Sequence, residues 1–114
     1  MNHFISLDEA IIMTSRYRDE KENITNPDNR GQNILCFSET FSKGAIQALL
    51  ETDDCHAIRV YYGMDEGLKV HTLLVAVDSA DKDILPDSQT QDAKIVEVGR
   101  RCPDYCPPPS SLTF

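Results

Sequence analysis

The residues best equipped for chemistry stand in two places. The first is the C-terminal stretch RRCPDYCPPPSSLTF, Arg100 to Phe114, where Cys102 and Cys106 are spaced C-x3-C just ahead of three consecutive prolines. Two thiols this close can ligate a metal, form a reversible redox disulfide, or act only as packing anchors. A metal site would need His3, His56 or His71 to complete it, and it lacks the closer C-x2-C pairs that structural metal sites usually supply. A redox pair would lack the Cys-x-x-Cys spacing at a helix N-terminus that lowers a thiol pKa. The third reading is a semi-rigid tail packed over the sheet. Pro107-Pro108-Pro109 favour polyproline II geometry, which cannot join a central strand, and Cys102 and Tyr105 serve as anchors.

The second place is the set Arg59, Tyr61 and His71, a candidate ligand-binding patch. Histidine ordinarily titrates close to neutral pH, and a tyrosine beside it can orient the ring. A cross-strand Tyr/His pair is also a common surface stabiliser, worth a few tenths of a kcal/mol. Cys55 beside His56 is a weaker pair, because adjacent strand residues point to opposite faces. The chain has no Gly-rich phosphate loop, no Gly-x-Ser-x-Gly elbow and no His-Glu-x-x-His. No catalytic residue, cofactor or defined metal site is expected.

The element that must position the patch is Cys55 to Asp78, CHAIRVYYGMDEGLKVHTLLVAVD, which predicts a long β-hairpin with strands over about 55–64 and 68–78. Apolar and polar residues alternate through Ala57–Tyr62, and Leu68–Val77 is rich in β-branched residues. Asp65 and Glu66 suit the centre of a type I turn, with Gly67 at positive φ closing a three-residue loop. That loop places Met64 opposite Leu68, Tyr62 opposite Val70, Val60 opposite Thr72 and Ile58 opposite Leu74. On the other face Tyr61 meets His71, Arg59 meets Leu73 and Ala57 meets Val75. The Ile58/Leu74 face is the better core face. The valines on the opposite face need either a second layer or another subunit.

Around the hairpin, Ser6-Leu7-Asp8-Glu9 has the form of a capping box and opens a helix over about 7–22, with Leu7, Ala10, Ile11, Thr14, Tyr17 and Lys21 on one stripe. Ser42 caps a second helix over about 42–52, with Phe41 stapled to Ile46 and Ala45, Ile46, Leu49 and Leu50 inward. Asn23 to Gln32 is loop, and Asn33 to Ser38 holds a short apolar run. Ser79 to Asp92 is polar, with Ile84 and Leu85 tucked under it. Ala93 to Gly99 predicts a third strand, with Val96 and Val98 facing one way and Ala93, Ile95 and Glu97 the other. The fold class is therefore α+β: a small antiparallel sheet, two helices and a Cys/Pro-rich tail over 100–114, in one domain spanning 1–114.

Composition narrows the partners. With 114 residues and a net charge of −8, the chain is long enough for one core and too acidic for phosphate backbones or anionic membrane surfaces. No apolar run approaches the ~20 residues of a membrane span. The first residues lack the basic-then-apolar pattern of a secretion signal, so a cytoplasmic protein with reduced thiols is expected.

The ordered segments Leu7–Ala10, Phe41 with Leu49-Leu50, Ile58–Gly63, Leu73–Asp78 and Gly99–Pro107 resemble a family of small bacterial proteins with no assigned activity. Its closing Cys-Pro-x-Tyr-Cys-Pro motif is matched by Cys102 to Pro107. The resemblance covers nearly the whole chain and implies one small domain that includes the tail, with no catalytic residues. The functional expectation is a non-catalytic binding or protein-interaction domain, with a homodimer through the sheet or another protein as partner. The alternative is a small enzyme or a thiol redox or metal-binding protein, using Cys102/Cys106 or the Arg59/Tyr61/His71 patch.

Overall fold

A computed structural model of the chain describes residues 2–87 and 93–113. The last five residues of the polar 79–92 stretch lie outside the described residues. The elements in order are α1 (Leu7–Glu20), a 3-10 turn (Pro27–Asn29), β1 (Ser38–Thr40), α2 (Lys43–Leu50), β2 (Ala57–Met64), β3 (Val70–Val77), β4 (Asp83–Ile84), β5 (Ile95–Val96) and β6 (Arg100–Cys102). The class is α+β, as the patterning implies. The residues gather into two compact units, one of the chain ends up to Ser38 and from Arg101, the other from Glu39 to Arg100.

The second unit is organised by β3. It pairs antiparallel with β2 along one edge, while β4 and β5 share the other. Leu74, Leu49 from α2 and Val96 from β5 form the buried core, with Phe41, Ala45, Ile46 and Ile58 packed against them. The Ile58/Leu74 face is thus the core face, and α2 covers it. Ser42 Oγ accepts from the Ala45 amide at 3.1 Å, so the α2 cap forms as expected. Leu49 is fully buried, whereas Leu50, expected inward, is exposed. Val75 and Val77 on the other face are buried within the chain itself, without another subunit.

The hairpin register differs from the sequence reading by two residues. Tyr61 lies opposite Leu73, not His71; His71 lies opposite Gly63, Arg59 opposite Val75 and Met64 opposite Val70. A two-residue slide preserves every face and changes every partner. The cause is the loop. Its turn is centred on Glu66 and Gly67, with Leu68 amide donating to the Asp65 carbonyl at 3.0 Å. Leu68 (φ 66°), not Gly67, takes the left-handed conformation. The loop keeps three residues but sits one residue later, at 66–68, with the Asp65 amide donating to the Lys69 carbonyl at 3.0 Å. Asp65 Oδ1 accepts from the amides of Gly67 (2.8 Å) and Lys69 (3.0 Å) and so holds it there.

The same device recurs one hairpin later. Asp78 Oδ1 accepts from the amides of Ala80 (2.8 Å) and Lys82 (2.9 Å), and Asp81 sits at φ 65°. That turn starts β4, which the sequence reading left in the polar stretch. Asp65-Glu66-Gly67-Leu68-Lys69 and Asp78-Ser79-Ala80-Asp81-Lys82 share a leading Asp and a closing Lys. The third predicted strand shrinks to two residues, because Val98 adopts φ 60° and is exposed.

In the first unit, Ser6 Oγ accepts from the Glu9 amide at 3.1 Å and its hydroxyl donates to Glu9 Oε1 at 3.2 Å. Helix α1 ends at Glu20, two residues early, with Leu7 exposed and Ala10, Ile11, Thr14 and Tyr17 half-buried. Lys21 is buried beyond the helix. Its Nζ donates to the Leu35 carbonyl at 2.9 Å and lies 4.5 Å from the Phe37 ring centroid. Tyr17 donates to the Cys36 carbonyl at 2.5 Å, and burial, followed by the charge of Cys36, pushes its phenol up to about 12.

The tail belongs to this unit. Arg101 Nη2 donates to the carbonyls of Asn33 (3.0 Å) and Ile34 (3.1 Å), and Arg18 Nη1 to that of Leu112 (2.8 Å). Cys102 is a buried anchor, but Tyr105 is 67 % exposed and is not one.

Leu49→Ala is expected to cost about 2–5 kcal/mol in chemical denaturation, whereas Leu50→Ala is expected to change stability by only about 0.5 kcal/mol. Equal losses at the two sites would contradict the placement of α2.

Candidate functional site

Three strands bring the ionisable side chains of the second unit to one sheet face. Arg59 and Tyr61 project from β2 and His71 from β3, on the same side as Val75 and Val77. Asp83, paired with Val77, faces the same way from β4. The expected patch divides into two separate groups.

Arg59 and Tyr61 reach across β3 to the 81–83 segment. Arg59 Nη1 donates to Asp83 Oδ1 at 2.5 Å and Nη2 to Asp81 Oδ1 at 2.6 Å. The Tyr61 hydroxyl donates to Asp83 Oδ2. Both oxygens of Asp83 are therefore engaged. The Tyr61 hydrogen bond, then Arg59, holds its carboxyl below the usual range, while the Asp83 hydrogen bond raises both Tyr61 and Arg59. These two side chains join β2 to β4 as a structural tie.

His71 belongs to the second group. Its Nε2 lies 2.8 Å from Asp65 Oδ2, and its Nδ1 lies 3.2 Å from Glu97 Oε1. The His71 hydrogen bond, followed by the amides of Lys69 and Gly67, holds the Asp65 carboxyl below its usual value. A carboxylate can only accept, so Nε2 carries the proton in that contact. Glu39 arrives from β1. Its Oε1 accepts from the Thr72 amide at 2.9 Å. One ligand atom each from Glu39, His71 and Glu97 lies within 4.8 Å of the other two. Gly99 makes room for this arrangement, since a Cβ there would stand 2.9 Å from Glu39 Oε2 and 2.8 Å from the Phe41 ring.

Sequence reasoning found His71 but not Glu39 or Glu97 as its neighbours. Glu97 carried a signal: it falls on the Ala93/Ile95 side of an alternating segment, a charge at a position facing the sheet. Glu39, between Ser38 and Thr40, carried none.

The other predicted pair, Cys102 and Cys106, is joined as a disulfide with Cα atoms 4.5 Å apart. The bridge occupies both thiols, so they cannot at the same time ligate a metal. Reduced cysteines were expected; two of the four are bridged, and Cys36 and Cys55 are free. No family model, curated protein or solved structure matches the chain.

Because Asp83 titrates below its ordinary value of 3.8, its contribution to stability is complete above that value and is lost as pH falls through the lower folded value. Asp83→Asn is expected to lower stability at neutral pH and to flatten the acid limb of a stability-against-pH curve. An unchanged acid limb, followed by denaturation at each pH, would show that the Arg59–Asp83–Tyr61 tie contributes nothing.

Proposed function

We propose that the chain is a non-catalytic binding domain that acts as a homodimer, with a second copy pairing along the free edge of β2. One observation carries this reading. Among the described residues, β2 is an eight-residue strand with a partner on one edge only. Natural sheets protect such edges with prolines, lysines, bulges or short strands. Ala57–Met64 contains no proline and no lysine. Its single charge, Arg59, is neutralised by Asp81 and Asp83. Val60, Tyr62 and Met64 are exposed on the core-side face, where 77 % of Tyr62 is open to solvent. Antiparallel pairing of two identical edges around a two-fold axis closes on itself, so the partner that satisfies the edge without further growth is another copy.

The net charge of −8 supports the exclusion of nucleic acid. Among the described residues no helix is long and apolar enough to cross a membrane. The Cys102–Cys106 bridge weighs against a cytoplasmic location, since disulfides are rare in reducing compartments. It also favours the second reading, a thiol redox protein, although burial of Cys102 hinders exchange at that sulfur. The Cys102–Pro107 motif supports membership of the small bacterial family without assigned activity.

Sedimentation equilibrium is expected to show a dimer, and Tyr62→Lys to raise its dissociation constant at least tenfold, about 1.4 kcal/mol, with the fold intact. A wild-type chain that stays monomeric at high concentration would defeat the proposal.

A further inference from the structure

We infer that Glu39, His71 and Glu97 form a binding site for a divalent transition-metal cation of the zinc class, with Asp65 as the positioning residue behind the histidine. The inference stands independently of the dimer, since it concerns the opposite sheet face.

The argument begins with unmet hydrogen bonding. Buried polar atoms are almost always paired, and each exception calls for a cause. Among the described residues four buried side-chain atoms have no hydrogen-bond partner, and three of them are Glu39 Oε2, His71 Nδ1 and Glu97 Oε1. They belong to the three side chains that converge. The 3.2 Å approach of His71 Nδ1 to Glu97 Oε1 does not meet hydrogen-bond geometry. With the imidazole neutral, its ring nitrogen and the two carboxylate oxygens repel one another, and a cation among them turns each repulsion into a bond.

The surroundings match what a metal requires. Metal-ligating histidines almost always give their second ring N–H to a carboxylate or carbonyl, which fixes the tautomer and the ring direction. Asp65 does this at Nε2, leaving Nδ1 toward the two glutamates. The Thr72 amide holds Glu39 by its other oxygen. In a tetrahedral site with bonds of about 2.0–2.2 Å, neighbouring ligand atoms stand roughly 3.3–3.6 Å apart. The His71–Glu97 separation of 3.2 Å is close to that spacing, and the Glu39 ligand atom lies within 4.8 Å of both. One imidazole and two carboxylates suit zinc(II) or a similar borderline ion better than magnesium or calcium, which favour all-oxygen shells. Two glutamates also neutralise a doubly charged ion. Three protein ligands leave a coordination position for water.

The experiment is calorimetric titration of Zn2+ into the full-length chain after chelator treatment, with Mg2+ as control. One-to-one saturable zinc binding is expected, with no comparable response to magnesium. His71→Ala, Glu39→Gln and Glu97→Gln should each weaken it at least tenfold, and Asp65→Asn by roughly 10–100-fold. Cys36→Ser/Cys55→Ser should leave it unchanged. X-ray absorption on the zinc complex of the unaltered chain keeps the test decisive if a variant fails to fold. The expected shell holds only nitrogen and oxygen at about 2.0–2.2 Å with one imidazole. A sulfur neighbour near 2.3 Å, affinity unaffected by His71→Ala, or no binding would overturn the site.

Discussion

The Asp65 carboxylate is the contact on which the second unit depends. One oxygen accepts the amides of Gly67 and Lys69 and so sets where the hairpin loop falls. The position of the loop sets the register of β2 on β3, and the register decides which side chains can meet. The other oxygen takes His71 Nε2. A single acidic side chain therefore fixes both the fold around the turn and the direction of the histidine ring. Asp78 repeats only the first half of this role at the next turn, where it starts β4 and so brings Asp83 to Arg59 and Tyr61.

The two groups on this sheet face have opposite characters. Around Asp83 both carboxylate oxygens have found donors, and the pKa directions agree with that pairing. Around His71 the ring is held by Asp65 and Glu39 by the Thr72 amide, while the atoms these contacts aim inward are unpaired. Complete pairing marks a structural tie; incomplete pairing behind well-held side chains marks a place prepared for something else. The rest of β2 contributes differently again, through an edge with no strand partner among the described residues and through exposed apolar side chains on the core-side face.

Much of this architecture was readable from residue types. Ser6 and Ser42 announced both helices, and the alternation through Ala57–Tyr62 fixed which face of the hairpin is core. Face assignment survived because the register error was an even number of residues. The partners were lost because glycine is the usual left-handed residue, and Gly67 drew attention from Leu68. A side chain that reorganises its own loop is a local competitor to turn preference, and the repeated Asp–Lys frame was its only trace in the sequence. Val98 ended β5 in a conformation that a β-branched residue seldom adopts, which no pattern would suggest. The glutamates around His71 come from segments far apart in the chain, so only tertiary structure joins them.

The most direct test is the register itself, read from cross-strand backbone nuclear Overhauser contacts in the folded chain. The structure places Tyr61 against Leu73 and Gly63 against His71, and contacts between those pairs are the expected result. Contacts pairing Tyr61 with His71 would mean a loop one residue earlier than the one the Asp65 carboxylate closes, and both the turn and the cluster built on it would fall.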